Sequence, residues 1–270
     1  MTPSLHQQVW AIMPAHGEVP ERALVEEALS HVAGLVLVDD GSEAGVAREL
    51  RALADDVGAA LVRVPERRGK GAALRAGLRA VREIALDVDA VLTIDADGQH
   101  PASAIPAFLA AATSAELVIG DRFDDLAAMP WPRRLANRAS RRLLELSTGR
   151  SVRDTQCGMR LLRGRALDLP LEGNGYEAET RHLKAALESG LDVAWVPIPA
   201  IYGDEQSSFR ALHDSARVLV ALVRPAAQRP PSPSQSQLRP GFPRRHPTRS
   251  ARRGRPATGR QELRSEALAP

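Results

Sequence analysis

An alternation constrains this chain more than any other feature: short apolar runs, each ended by a polar cluster, are separated by stretches of helical period. Residues 9–13 (VWAIM) stop at Pro14 and give way to Ala15-His-Gly-Glu18. A helical stretch opens at Pro20, with Leu24, Val25, Ala28, Leu29 and Val32 on one face, and Gly34 ends it. Residues 35–38 (LVLV) are apolar throughout, as a parallel strand buried on both faces must be, and terminate in Asp39-Asp-Gly-Ser42. The pattern continues with a helix to about Val57, a strand over 59–64 and a helix over 71–86. A strand over 90–94 then ends in Asp95-Ala-Asp-Gly-Gln-His100, followed by a helix over 101–112 and a strand over 116–120. Such alternation predicts βαβ units and an α/β fold with a mostly parallel sheet flanked by helices. Ligands of these sheets bind beyond the carboxyl ends of the strands, where residues 14–18, 39–42, 95–100 and 121–122 fall.

Past Arg122 the rhythm loosens. Residues 129–132 (MPWP) read as a turn, 134–148 as a basic amphipathic helix and 154–162 as an extended segment. A helix over 176–188, a strand over 193–197 and a helix over 207–223 with an apolar stripe follow. From residue 226 Pro, Ser and Arg dominate without apolar periodicity. The expected division is therefore a folded domain over 1–225 and a disordered Arg/Pro-rich tail over 226–270. Ten arginines against Glu262 and Glu266 give the tail +8, which leaves −5 for residues 1–225 of a chain whose formal charge is +3. The basic pI of 9.6 thus belongs to the tail.

Aromatic residues make up only 3% of the 270, so Ala, Leu and Val must fill the core. The single cysteine, Cys157, excludes an internal disulfide framework and fits a reducing compartment. No secretory pattern and no apolar run near the ~20 residues of a membrane span are read. The expected location is cytoplasmic; the stripe over 207–223 suits peripheral contact at the inner face of the membrane or, more simply, packing against the folded domain.

The chemistry gathers at the strand ends. Asp95 and Asp97 flank one residue, so both carboxylates can face one site. Clustered carboxylates repel unless a cation lies between them, and a hard divalent ion, Mg²⁺ or Mn²⁺, suits oxygen ligands and leaves positions for a diphosphate. Gln99 can add a neutral oxygen; alternatively the segment is a helix N-cap in which Asp97 or Gln99 satisfies amides ahead of Pro101. Other motifs fail. An EF-hand would need Gly and Glu where His100 and Pro106 stand, and Gly69-Lys-Gly71 lacks a dinucleotide fingerprint's third glycine (Leu74) and a P-loop's first (Val64). Asp39 and Asp40 can accept from base N–H groups or ribose hydroxyls, or belong to a capped turn in which Asp40 or Ser42 starts the next helix. Arg67, Arg68 and Lys70 precede a helix N-terminus and suit an anion. Arg122 is a fork donor for phosphate, with a salt bridge to Asp121 or Asp124 as the alternative. His16, His100 and His182 fall on different elements and predict no zinc site.

Taken in order, residues 9–18 (VWAIMPAHGE), 38–42 (VDDGS), 67–77 (RRGKGAALRAG), 95–101 (DADGQHP), 120–123 (GDRF) and 154–160 (DTQCGMR) form a specific series. It resembles the family-2 inverting glycosyltransferases of GT-A fold, a Rossmann-like architecture, and among them the branch of dolichyl-phosphate mannose synthase and bacterial polyprenyl-phosphate sugar synthases. The resemblance spans about residues 9–220. It implies that Pro14, His16 and Glu18 line the nucleotide base, with His16 where a Tyr is usual, and that Asp39 and Asp40 contact base and ribose. It further implies a metal and diphosphate site at Asp95, Asp97 and Gln99, a donor contact from Arg122, to which Lys70 is added from its place before a helix N-terminus, and a catalytic set of Asp97, Arg122 and Asp154, the last on the acceptor side. The implied partners are a UDP- or GDP-sugar donor and a lipid-phosphate or hydroxyl acceptor. A hydroxyl acceptor needs a base, for which Asp154 and Glu179 are candidates.

Two other functions fit parts of the sequence. A metal-dependent phosphatase could use the Asp-x-Asp pair, although such enzymes carry it on the first strand rather than the fourth. A non-catalytic protein could hold an anionic polymer or membrane through the basic tail. Nucleic acid is disfavoured, because Phe242 is the tail's only aromatic residue.

Overall fold

The computed structural model describes residues 9–85, 87–122 and 131–199; the helix expected over 207–223 and the tail lie outside them. Seven strands form one sheet: β1 (Val9–Ala15), β2 (Gly34–Asp40), β3 (Ala60–Val64), β4 (Ala90–Thr93), β5 (Leu117–Asp121), β6 (Arg160–Arg163) and β7 (Val193–Pro197). Their order is β3-β2-β1-β4-β6-β5-β7. Every pairing is parallel except the two that β6 makes with β4 and β5. The helices are α1 (Arg22–His31), α2 (Ala44–Val57), α3 (Lys70–Ile84), α4 (Ile105–Ala111), α5 (Trp131–Thr148), α6 (Arg165–Asp168) and α7 (Glu177–Glu188). The mostly parallel sheet flanked by helices is therefore as the alternation predicts. The helix expected over 101–112 is divided into a 3-10 turn, Ala102–Ala104, and α4.

Period-two patterning sorts the core into two layers. Val9, Ala11, Met13, Leu35 and Leu37 face one side of the sheet with Val25, Leu50 and Phe108. Ile12, Val36 and Val38 face the other with Ala73, Leu74 and Val81 of α3. A Cβ at Gly77 would stand 2.5 Å from Ile12 Cγ2, so glycine lets α3 lie close against β1. Small residues on α3 and branched ones on the strands thus replace aromatics as the filling. Gly58, with φ +74°, ends α2 in the left-handed conformation, and Ala54 O accepts from Ala59 N at 2.9 Å.

β6 runs against its neighbours, so it begins at the edge where β4 and β5 end. The segment before β6 is thereby delivered to the carboxyl edge of the parallel strands. Buried Arg160 fixes it there, donating through Nε to Cys157 O (2.8 Å), Nη1 to Glu179 O (2.6 Å) and Nη2 to Thr155 O (3.0 Å). Three carbonyls satisfy the guanidinium and bind that loop to α7, offsetting the cost of a buried charge.

His182 on α7 is buried, with Nε2 2.9 Å from Ala166 O and Nδ1 lacking a hydrogen-bond partner among the described residues. Burial pushes its imidazole down to about 4. The folded state therefore resists a proton that the unfolded chain accepts near pH 6.5. Stability is expected to fall as pH drops through this window, by about 3 kcal/mol from this side chain at pH 4. In urea denaturation at pH 7 and pH 4, His182→Gln should lose less stability on acidification than the wild type. Equal losses would refute the assignment.

Candidate active site

The strand order runs outward from β1 to β3, then α3 carries the chain back to β4 on the other side of β1. The carboxyl ends of β1 and β4 therefore flank the switch point, where open α/β sheets bind ligands. Asp95 leaves β4 here, and Pro14–Glu18, Asp39 and Asp40 leave or end β1 and β2 beside it.

Lys70 opens α3 and reaches back into the crevice. Its buried ammonium lies 2.6 Å from Asp95 Oδ1, 3.2 Å from Glu179 Oε1 of α7 and 5.5 Å from the centre of the Tyr176 ring. Burial alone would lower the Lys70 pKa, but Asp95 and then Glu179 outweigh it, and the net shift is upward. Burial likewise works to raise Asp95, yet Lys70 chiefly holds that carboxyl below its ordinary value. For Glu179 burial prevails over Lys70 and Arg160, and the shift is upward.

The ligand atoms of Asp95, Asp97 and His100 lie within 4.8 Å of one another. Asp97 is exposed and accepts the backbone N–H of Gln99 at 3.0 Å; half-buried Gln99 sits between Asp97 and His100 in the same turn. Asp97 thus does satisfy an amide ahead of Pro101, but the N-caps of the 3-10 turn and of α4 are Pro101 and Ala104. The three histidines do lie on different elements. What sequence reasoning missed is His100 as a neighbour of the carboxylates, brought in by the turn ahead of Ala102. Its Nδ1 is 3.5 Å from Asp95 Oδ2 without a hydrogen bond, while Nε2 is 3.6 Å from Cys157 Sγ. A proton on Nε2 serves the sulfur and leaves Nδ1 as a buried lone pair facing a carboxylate oxygen. Burial pushes His100 down to about 4, so the ring is neutral at physiological pH. It also pushes the Cys157 thiol up to about 12, which leaves no reactive thiolate.

Gly158 closes this site from the β6 side. A Cβ there would fall on Asp95 Oδ2 and within 2.5 Å of Lys70 Nζ, so the loop's approach requires glycine. Further along the same edge, Arg122 donates to Asp154 through Nε (2.8 Å) and Nη2 (3.2 Å). Asp154 is 0% exposed and also accepts the amides of Gln156 (2.8 Å) and Cys157 (3.1 Å). Asp121 pairs with Arg153 at 3.0 Å, and Asp124, the other partner expected from sequence for Arg122, lies outside the described residues.

At β2, Asp40 accepts Arg68 N (2.9 Å) and Gly69 N (2.7 Å), and its carbonyl meets His16 Nδ1 at 2.8 Å. Asp39 Oδ1 accepts Ser42 N at 2.8 Å, and Ser42 Oγ accepts Gly17 N at 2.9 Å. Neither Asp40 nor Ser42 caps α2, whose N-cap is Glu43. Asp39 Oδ2, buried and 3.5 Å from Arg63 Nε, makes no hydrogen bond among the described residues. Glu18, His16 and Pro14 stand at the rim, the first two exposed and the last half-buried.

Residues 10–169 match the profile of glycosyl transferase family 2. The chain is 33% identical over 201 residues to undecaprenyl-phosphate 4-deoxy-4-formamido-L-arabinose transferase of Pseudomonas paraeruginosa, covering 66% of this chain and 57% of that one. It is 36% identical over 135 residues to the protein of the same description from Edwardsiella ictaluri, covering 48% and 38%. The chain thus spans about half the length of the relatives it matches. Among solved structures it resembles glucosyl-3-phosphoglycerate synthase of Mycobacterium tuberculosis in complex with Mn²⁺, UDP-glucose and phosphoglyceric acid, with a TM-score of 0.61, 21% identity and coverage of 80% of this chain and 78% of that one. The profile match over more than half of the chain, on a sheet of the same fold with its acidic pair at the switch point, shows that the protein belongs to glycosyl transferase family 2.

Proposed function

We propose that the protein transfers a sugar, with inversion, from a nucleoside-diphosphate donor to a lipid-borne phosphate. The observation that carries this reading is the convergence of Asp95, Asp97, His100 and Lys70 at the switch point of a family-2 fold. Two carboxylates and a buried imidazole nitrogen without a hydrogen-bond partner fit a divalent cation, and the nitrogen donor favours Mn²⁺ over Mg²⁺. Asp95 would offer it Oδ2, since Oδ1 already serves Lys70, with Gln99 in reach through its neighbours. When bound, the cation supplies neutralisation of the diphosphate as charge builds on the leaving nucleotide.

The protein's own groups do the rest. Lys70, held charged by its acidic partners, fixes Asp95 and adds positive potential beside the diphosphate. Arg122 contributes to the same field from the β5 end. Asp40 is committed to the 68–69 loop, so it shapes the nucleotide's cradle; Asp39 Oδ2 is the oxygen of this pair suited to a base or ribose donor once Arg63 moves aside. His16, Glu18 and Pro14 border the base.

The acceptor follows from the two candidate bases. Asp154 is enclosed by Arg122 and two amides, and Glu179 is buried against Lys70. Neither is placed to take a proton from an incoming hydroxyl, whereas a phosphate arrives already ionised and needs no base. The undecaprenyl-phosphate named in the relatives' descriptions agrees with that chemistry.

Thermal-shift measurements with UDP- and GDP-sugars, each with Mn²⁺, Mg²⁺ or chelator, test the donor side. One nucleotide is expected to raise the Tm only with cation present, Mn²⁺ more than Mg²⁺. Release of nucleoside diphosphate should then require a polyprenyl phosphate. Stabilisation by neither nucleotide would overturn the reading, and turnover with a neutral polyprenol would overturn the acceptor assignment.

A further inference from the structure

We propose that the outward face of α5 lies on an anionic lipid surface. Five large hydrophobic side chains are exposed among the described residues, and three of them, Leu135 (61%), Leu143 (38%) and Leu146 (76%), are on this one helix. At 100° per residue Leu135 and Leu146 fall 20° apart, with Leu143 beside them, while buried Ser140 and Leu144 point the opposite way. The core therefore already uses the inner face, and the outer leucines are left over.

Charge identifies the occupant. The helix carries five arginines, at 133, 134, 138, 141 and 142, against Glu145 alone, a net +4 within a region, residues 1–225, whose net charge is −5. Arg138 and Arg142 are exposed among the leucines; the Arg142–Glu145 pair is 3.5 Å apart at the surface, and Glu145 Oε1 also accepts Val152 N at 3.3 Å. Leucines interleaved with arginines suit the boundary between acyl chains and anionic headgroups. A second copy of the chain would bring the same arginines face to face, which opposes self-association. Within the described residues no helix is long and apolar enough to cross a membrane, so α5 lies along a surface rather than through it.

The position of α5 gives the contact a use, and here the inference rests on the lipid-borne acceptor proposed above. Ser140 Oγ lies 2.8 Å from Thr155 Oγ1, next to Asp154 and its Arg122 partner. A bilayer under the outer face would thus be about one helix diameter, ~10 Å, from the loop that borders the acceptor side.

The test is co-sedimentation of the full chain with vesicles of phosphatidylcholine mixed with phosphatidylglycerol, and of phosphatidylcholine alone. Two variants are compared with wild type: Leu135→Gln/Leu143→Gln/Leu146→Gln, and Arg138→Gln/Arg142→Gln. Wild type should sediment with the anionic vesicles, and each variant should partition at least about tenfold more weakly, the leucine variant at high salt as well. The basic tail can also attract anionic lipid, but it does not need these leucines. A leucine variant that partitions like wild type, or a wild type that ignores anionic vesicles, overturns the proposal. Unchanged circular dichroism and Tm show that the variants are folded. The cation-dependent donor shift, measured on the same preparations, separates the outcomes: its absence from wild type sinks the donor reading whatever the vesicles show, and its retention in a non-sedimenting variant isolates the membrane contact.

Discussion

Asp97→Asn should abolish the cation-dependent Tm shift with nucleotide sugar and lower kcat/KM by roughly a hundredfold to a thousandfold, while leaving the metal-free Tm within about 1 °C of wild type. The two halves of this result have separate causes. Asp97 is exposed in a turn and accepts the Gln99 amide, a bond that the oxygen of Asn can also accept. Surface substitutions that keep local hydrogen bonds cost little stability. A cation beside Asp95 and His100, in contrast, would lose one of its two carboxylates. Excess Mn²⁺ should recover part of the donor binding, as expected when affinity rather than architecture is damaged. The comparison with Asp95→Asn sharpens the point, because that change also strips Lys70 of its 2.6 Å partner and should lower the metal-free Tm. If Asp97→Asn binds donor and turns over like wild type, the pair does not hold a cation needed for catalysis.

How much of this was legible in the sequence depends on the range of the interactions. The parallel half of the sheet follows from local pattern: runs such as residues 35–38 are short, rich in valine and bounded by glycine and polar residues, which favours buried strands over helices. The doubly wound order then puts Asp39, Asp40, Asp95 and Asp97 on one edge with no further information. The antiparallel insertion of β6 was not legible. Its four residues, RLLR, have no pattern that distinguishes parallel from antiparallel, and strand order is set by distant packing. The short α6 was equally silent.

The same limit governs the site. Lys70 was visible as a basic residue ahead of a helix, but its two ion pairs, with Asp95 and Glu179, need α3 and α7 to meet, which no local signal states. His100 could have been suspected from its spacing of three after Asp97, but its approach to Asp95 depends on the path of the irregular segment between β4 and the 3-10 turn, which residue spacing does not state. Gly158 and Arg160 read as ordinary members of a motif; one is required by a carboxylate oxygen across the sheet and the other by three carbonyls of a folded loop.

Removing the Asp154 side chain should be the most destabilising change at this edge, about 3–5 kcal/mol, because it strands several groups at once. Arg122 would lose the buried carboxylate that receives its Nε and Nη2, and the Gln156 and Cys157 amides would lose their acceptor. Urea denaturation at pH 7 should show Asp154→Ala with a midpoint shifted far down and an unchanged m-value. Arg122→Ala should cost less, since Asp154 retains the two amides, and the double variant should be more stable than the two single losses added together. Asp154→Asn, which keeps an oxygen for the amides but loses the charge that holds Arg122, should lie between. A general base would leave a different record: Asp154→Asn would fold like wild type and lose the acidic limb of the pH–rate profile. Should that be the outcome, a hydroxyl acceptor regains its base and the case for an acceptor that arrives as an anion falls with it.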